Sequence, residues 1–294
     1  MALFCYIIVI YGENMSYPII ISQVYLDVLK NLLKVANKRE VLFFKENDDY
    51  MISLMDMGTL VHISTTESNI SYQDSEVGIS NMSEFMDYVK AVGYPKSGDI
   101  KFSQEKSTKG RVLDCLVFSD DYSTYRTVVA DPTKFTAKYD KKVPVDRSID
   151  PMSLVAQFTL DEEDLARITN DIKLMKKCEI FGVTVGSDIS LYMRGIERQQ
   201  VTRTIDSTKA RILNSTVLKS DSIDKYRLFP SRLFSFMSTF DCEFDVELRY
   251  LESRNIVAFK AFGKIENPSG DPINVYVASS ESTSQIMSNF DIIE

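Results

Sequence analysis

Hydrophobic positions along the chain follow two periods. Across residues 161–177 (DEEDLARITNDIKLMKK) the apolar residues are Leu165, Ile168, Ile172 and Met175, the spacing of one helix face. Four acids lead the first turn, where the positive end of the helix dipole favours them, and Lys176 and Lys177 close it. Across 243–250 the period falls to two. Phe244, Val246, Leu248 and Tyr250 alternate with Glu243, Asp245, Glu247 and Arg249, which predicts a half-buried strand with a wet outer face.

The same two patterns place elements along the whole chain. They predict a short strand at 18–22 and a helix at 23–38 with Leu26, Leu29, Leu33 and Ala36 inward. Strands follow at 41–45, 50–56 and 59–65, then a polar loop at 66–80 with room for a strand at its centre. A second helix covers 81–92, capped by Asn81 or Ser83, with Phe85, Met86 and Val89 inward. A hairpin at 100–104 and 111–119 and a strand at 125–130 complete this half. Residues 131–151 are framed by prolines, dense in charge and without a period, as in an exposed connector.

Beyond the connector the series recurs, displaced by roughly 140 residues. Its strand is at 154–160 and its helix at 161–177; strands follow at 179–185, 189–194, 199–205 and 210–217. Pro230 opens a short helix, LFSFMSTF, at the position proline prefers, and strands at 243–250, 255–263 and 273–278 end the series. The expected fold is α+β: two similar domains, 16–130 and 153–279, each an antiparallel sheet with two helices on one face, joined by a connector at 131–152. Residues 1–15 read as an N-terminal extension, with Met15 the expected native start, and 280–294 as a C-terminal tail. The apolar run at 2–11 falls short of the ~20 residues that span a bilayer and lacks the basic start of a secretory signal.

Charge changes the picture on the helices. Lys30, Lys34 and Lys38 recur every four residues on one side of the first helix. Arg167, Lys173 and Lys177 fall opposite the apolar stripe of its counterpart. Lys90 and Arg232 stand on the two remaining helices. Basic residues on one side of equivalent helices suit a phosphate backbone, a contact that positions a duplex without reading its sequence. The net charge of −8 and pI near 5.0 argue against a generally basic nucleic-acid binder, so the acids must lie elsewhere.

Catalytic chemistry finds little to work with. There is one histidine, His62, no G-x-S-x-G and no phosphate loop. Cys5, Cys115, Cys178 and Cys242 have no metal-ligand spacing, and the acids at 161–164 are accounted for by helix capping, so neither metal nor cofactor is expected. A non-catalytic structural or assembly protein of a phage is the alternative, although it has no need of basic residues on equivalent helices.

Three segments carry a family resemblance: LARITNDIKLM at 165–175, MISLMDMGTLVHIS at 51–64, and PSRLFSFMSTFDCEFDVELRY followed by NIVAFKAFG. In them the chain resembles the DNA sliding clamps, the processivity factors of DNA polymerases, of the trimeric kind found in tailed phages. More distantly it is similar to proliferating cell nuclear antigen. The resemblance implies a homotrimer of two-domain subunits closed into a pseudo-sixfold ring around double-stranded DNA. Lys30, Lys34, Lys38, Lys90, Arg167, Lys173, Lys177 and Arg232 would face the DNA. It further implies a groove for a partner peptide, with Met55, Asp56, Met57 and Leu60 on one wall and Val143, Val145, Val277 and Ala278 supplying the rest. The partners would be the replicative DNA polymerase and an ATP-driven clamp loader, with no membrane, in the cytoplasm (the host cell's, if viral). The tail residues Gln285, Met287, Phe290 and Ile292 loosely resemble the peptides that clamps bind.

Overall fold

The computed structural model describes residues 14–35, 41–46, 49–56, 58–71, 76–91, 100–107, 115–119, 124–129, 147–148, 150–175, 177–195, 199–214, 227–267 and 271–280. Among them one sequence of elements occurs twice. The first pass runs β1 (Asn14–Ile21), α1 (Gln23–Val35), β2 (Val41–Glu46), β3 (Asp49–Asp56), β4 (Thr59–Thr65), β5 (Ile70–Ser71) and β6 (Glu76–Ile79). It ends with α2 (Met82–Ala91), β7 (Ile100–Ser107), β8 (Cys115–Ser119) and β9 (Thr124–Val128).

The second pass runs β10 (Ser153–Leu160), α3 (Glu162–Leu174), β11 (Ile180–Val185), β12 (Ile189–Arg194), β13 (Gln200–Thr204), β14 (Ala210–Ile212) and β15 (Arg227–Pro230). It ends with α4 (Arg232–Met237), β16 (Phe244–Leu251), β17 (Ile256–Ile265) and β18 (Ile273–Ser280).

Strand pairing repeats along with chain order. β1 pairs with β5 and β7, and β7 with β8 and β8 with β9. In the second pass β10 pairs with β14 and β16, and β16 pairs with β17. Likewise β2 lies between β3 and β6, as β11 lies between β12 and β15. All of these pairs are antiparallel, and α1 packs beside α2 as α3 does beside α4. Each half is thus an antiparallel sheet system with two helices, the α+β arrangement the sequence predicts.

The chain divides into two compact units that interleave in sequence. One comprises Met1–Leu54, Ser64–Lys138 and Asn267–Ile273; the other comprises Met55–Ile63, Tyr139–Glu266 and Asn274–Glu294. The short visitor in the first unit is tied in by side chains. Thr66 Oγ1 donates to Asp271 Oδ2 at 2.5 Å, Asn69 Nδ2 to the Asp271 carbonyl at 2.9 Å, and Asn267 Nδ2 to Asn69 Oδ1 at 2.9 Å.

Aromatic residues build the core of each unit. Phe85 meets Phe118 at 5.6 Å and Phe43 at 6.2 Å between ring centroids in the first. In the second, Phe181 packs on Phe234 at 4.5 Å and edge-on to Phe259 at 5.7 Å, and Phe259 in turn meets Phe158 and Phe229. Such offset and edge-to-face pairs are the favoured arrangements of aromatic rings.

Two expectations change. The helix at 161–177 is shorter, because Met175 is extended as its C-cap and Lys177 turns to a φ of 55°. The wet face of 243–250 is wet only in part. Glu247 and Arg249 of β16 are buried, because Arg147 and Met152 meet that face: Arg147 pairs with Glu247 Oε1 at 3.2 Å, and Arg249 Nη1 donates to the Met152 carbonyl at 3.1 Å. Among the described residues no helix is long and apolar enough to cross a membrane.

Candidate functional site

Each helix positions its basic side chains through its own capping and pairing. Asp161 caps α3, accepting from the Asp164 N–H at 2.9 Å, and Lys209 reaches both carboxylates, Asp161 at 2.5 Å and Asp164 at 2.7 Å. That bond from Lys209, with the backbone N–H of Asp164, holds the Asp161 carboxyl below the usual carboxylate range. Arg203 pairs with Asp171, and Arg167 with Glu163 one turn before it. Asp161, Glu163, Asp164 and Asp171 are therefore paired, and Lys173 and Lys177 are exposed at the C-terminal end of α3, where the dipole favours cations.

In the first unit Lys30 pairs with Asp27 at 2.5 Å, Lys34 bonds Asn31 at 2.8 Å, and Lys90 reaches Asp87 at 3.4 Å. All are contacts one helical turn apart on an exposed surface, worth little each and easily exchanged for a phosphate. Lys38 lies outside the described residues.

Arg232 stands apart from these. Its Nε donates to Asp56 Oδ2 at 2.9 Å, and its guanidinium lies 5.6 Å from the centre of the Phe236 ring. The Asp56 side chain is 0% exposed. Two residues predicted for different surfaces are thus one ion pair, a contact across 176 positions that no sequence pattern announces.

Of the residues expected in the peptide groove, Leu60 and Ala278 come together. Leu60, Tyr276 and Ala278 form one buried cluster against which Phe262 packs. Tyr276 is central to it, 5.0 Å from the Phe262 ring and 6.0 Å from the His62 ring. Its hydroxyl is buried without a hydrogen-bond partner, and burial pushes its pKa upward. Arg147 caps the cluster, its guanidinium carbon 4.0 Å from the centre of the Phe262 ring. Tyr276, Phe262 and Arg147 are the members that sequence reading missed.

Alternation along the strands separates the other predicted residues. Val277, wholly buried, points to the face of β18 opposite Ala278 and Tyr276. Met55 is exposed while its neighbour Asp56 is buried. Met57, Val143 and Val145 lie outside the described residues.

The sequence matches no protein-family model and no curated relative. Solved structures do resemble the fold. Proliferating cell nuclear antigen (PCNA) of A. fulgidus, solved with the C-terminal region of FEN-1 bound, superposes with a TM-score of 0.56 at 12% identity, over 92% of this chain and 99% of that one. The corresponding antigen of Entamoeba histolytica gives 0.54 at 12% identity, over 90% and 99%. A DnaN sliding clamp, the DNA polymerase III β subunit of Bartonella birtlesii, gives 0.55 at 10% identity, over 95% of this chain and 68% of that one. Along nearly its whole length, the chain has the fold of the DNA sliding clamps.

Proposed function

We propose that the protein is a sliding clamp: three copies close a ring around duplex DNA and tether the replicative DNA polymerase. An ATP-dependent clamp loader opens the ring. One observation supports this reading above the others. β18, the third strand after α4, neighbours β4, the third strand after α1, in the strand order. Their counterparts in the other repeats are β9, third after α2, and β13, third after α3. Among the described strands, both stand at the end of their sheets.

Joining β9 of one subunit to β13 of the next repeats between chains the neighbour relation of β18 and β4, and covers two edges that otherwise invite aggregation. The joint is head-to-tail, and such joints generate rings where the rotation closes. Three chains of two repeats give the pseudo-sixfold arrangement.

The charge distribution fits. Lys30, Lys34, Lys38, Lys90, Arg167, Lys173 and Lys177 supply weak, sequence-independent phosphate contacts, while the chain as a whole carries a net charge of −8, so acids outnumber bases elsewhere. Retention comes from encirclement, so no single contact has to be strong and no catalytic step is required. That A. fulgidus PCNA binds a segment of FEN-1 supports a peptide-binding role for this chain, and the groove we assign to it comprises Met55, Asp56, Met57, Leu60, Val143, Val145, Val277 and Ala278.

Light scattering across a dilution series tests the ring, followed by retention on circular and linearised DNA after loading. A mass of three subunits, with retention lost when the circle is cut, is the expected result. A monomer at every concentration, or equal release from both DNAs, returns the non-catalytic assembly protein to first place.

A further inference from the structure

The turn between β3 and β4 is held from two directions. Gly58, at a φ of 78° that favours glycine, gives its carbonyl to the Ser279 hydroxyl at 2.8 Å and lies against Pro230. Two residues before it, Asp56 takes the Nε of Arg232 at 2.9 Å. Pro230 and Arg232 flank the start of α4, and Ser279 follows Ala278 on β18. Leu60 and Ala278 are therefore close in sequence to the atoms that pin the turn.

The two partners differ in exposure: the Asp56 side chain is wholly buried, while that of Arg232 is 32% exposed. A buried carboxylate is costly unless paired, whereas a part-exposed guanidinium is easily hydrated. The pair therefore matters more to the turn than to the helix. An Arg232 that swung away to a phosphate would withdraw a charge-assisted bond from the buried group.

We propose that Arg232 is a positioning residue for the partner-binding turn at 56–60, acting through the buried Asp56 carboxylate, and not a contact for DNA phosphate. The partner-binding role of the turn rests on the sliding-clamp reading; the anchoring does not.

The test compares the full-length protein with Arg232→Met, Arg232→Lys and the double variant Asp56→Asn/Arg232→Met. Hydrogen exchange is followed by mass spectrometry, and binding to a short linear duplex by anisotropy across a salt series. Arg232→Met is expected to speed exchange in peptides spanning 56–62 by about tenfold while those of β11 and β12 keep their rates. Arg232→Lys restores much of the protection because it keeps the charge. The double variant does so because the buried charge is removed together with its guanidinium partner.

The salt slope of duplex binding stays at the wild-type value in Arg232→Met, whereas Lys173→Met lowers it by about one phosphate contact. Unchanged exchange at 56–62, equal acceleration throughout the chain, or a slope lowered by Arg232→Met overturns the proposal. Where the wild-type protein does not bind the short linear duplex, retention on circular DNA tests the clamp, and the exchange rates decide the anchor by themselves.

Discussion

Arg249 donates from Nε to Glu247 Oε2 at 2.6 Å, both side chains standing on one face of β16 and both buried. Around them Asp150 accepts from Lys260 and lies 3.7 Å from Arg249 Nη1, while Arg147 pairs with Glu247 and, at 3.7 Å, with Asp245. Three acids face three bases, so the network is neutral as a whole. Arg249→Met takes one cation from both Glu247 and Asp150, leaves the buried network with an excess negative charge, and should cost about 3–5 kcal/mol. Urea unfolding is expected to show a lower midpoint at unchanged slope. A midpoint equal to that of the wild type would mean that the network adds no net stability.

Asp161 couples pH to the start of α3. Its carboxyl titrates below the ordinary aspartate range, chiefly through the bond from Lys209. A depressed folded-state pKa contributes stability that is complete above the unfolded value and lost as pH falls through the folded one. Asp161→Ala removes the cap and should cost about 1 kcal/mol at neutral pH. The gap to wild type should narrow only below about pH 4. Denaturant midpoints measured between pH 7 and pH 2 follow it; a gap that stays constant with pH would detach the cap from the ion pair.

Gly263 leaves no room for a methyl group. A Cβ there would sit 2.7 Å from Cys242 Sγ and 2.8 Å from the Phe244 ring. Gly263→Ala is expected to cost about 1–3 kcal/mol through overpacking. Adding Cys242→Ala should recover part of the loss in thermal melts, since it removes the nearest atom.

At the exposed end of β9, Val128 is 47% exposed. Val128→Lys should leave the unfolding midpoint within about 0.5 kcal/mol of wild type, as for an ordinary surface change. If β9 joins β13 of a neighbour, the added charge lowers the mass seen by light scattering at dilutions where the wild type stays assembled. A mass curve identical to wild type would move the joint away from Val128.

Periodic features were legible from sequence alone. Of the predicted stripe Leu165, Ile168, Ile172 and Met175, all are buried except Ile172, which is half-buried, and the repeat reappears in matching strand partners. What was lost lay in contacts distant along the chain. Alternation in 243–250 tells which residues share a face, but whether that face is wet depends on what crosses it, and Arg147 and Met152 meet Glu247 and Arg249 there. The placement of Arg232 by charge and helix position could not foresee a partner at Asp56. Tyr276 and Phe262 drew no notice because, in their strands, they read as ordinary apolar residues.

The interleaving of the two units bears on how the protein is made. Residues 55–63 emerge from the ribosome well before the rest of their unit, whereas 267–273 emerge long after most of theirs. At ~5–20 residues per second, the first unit waits roughly 6 to 26 seconds for the strip that Thr66 and Asn69 hold. During that interval Thr66 and Asn69 lack their bonds to Asp271 and Asn267. Neither unit is a contiguous stretch that could be inherited, swapped or expressed alone, so a cut within the connector yields two fragments that each lack a piece of themselves.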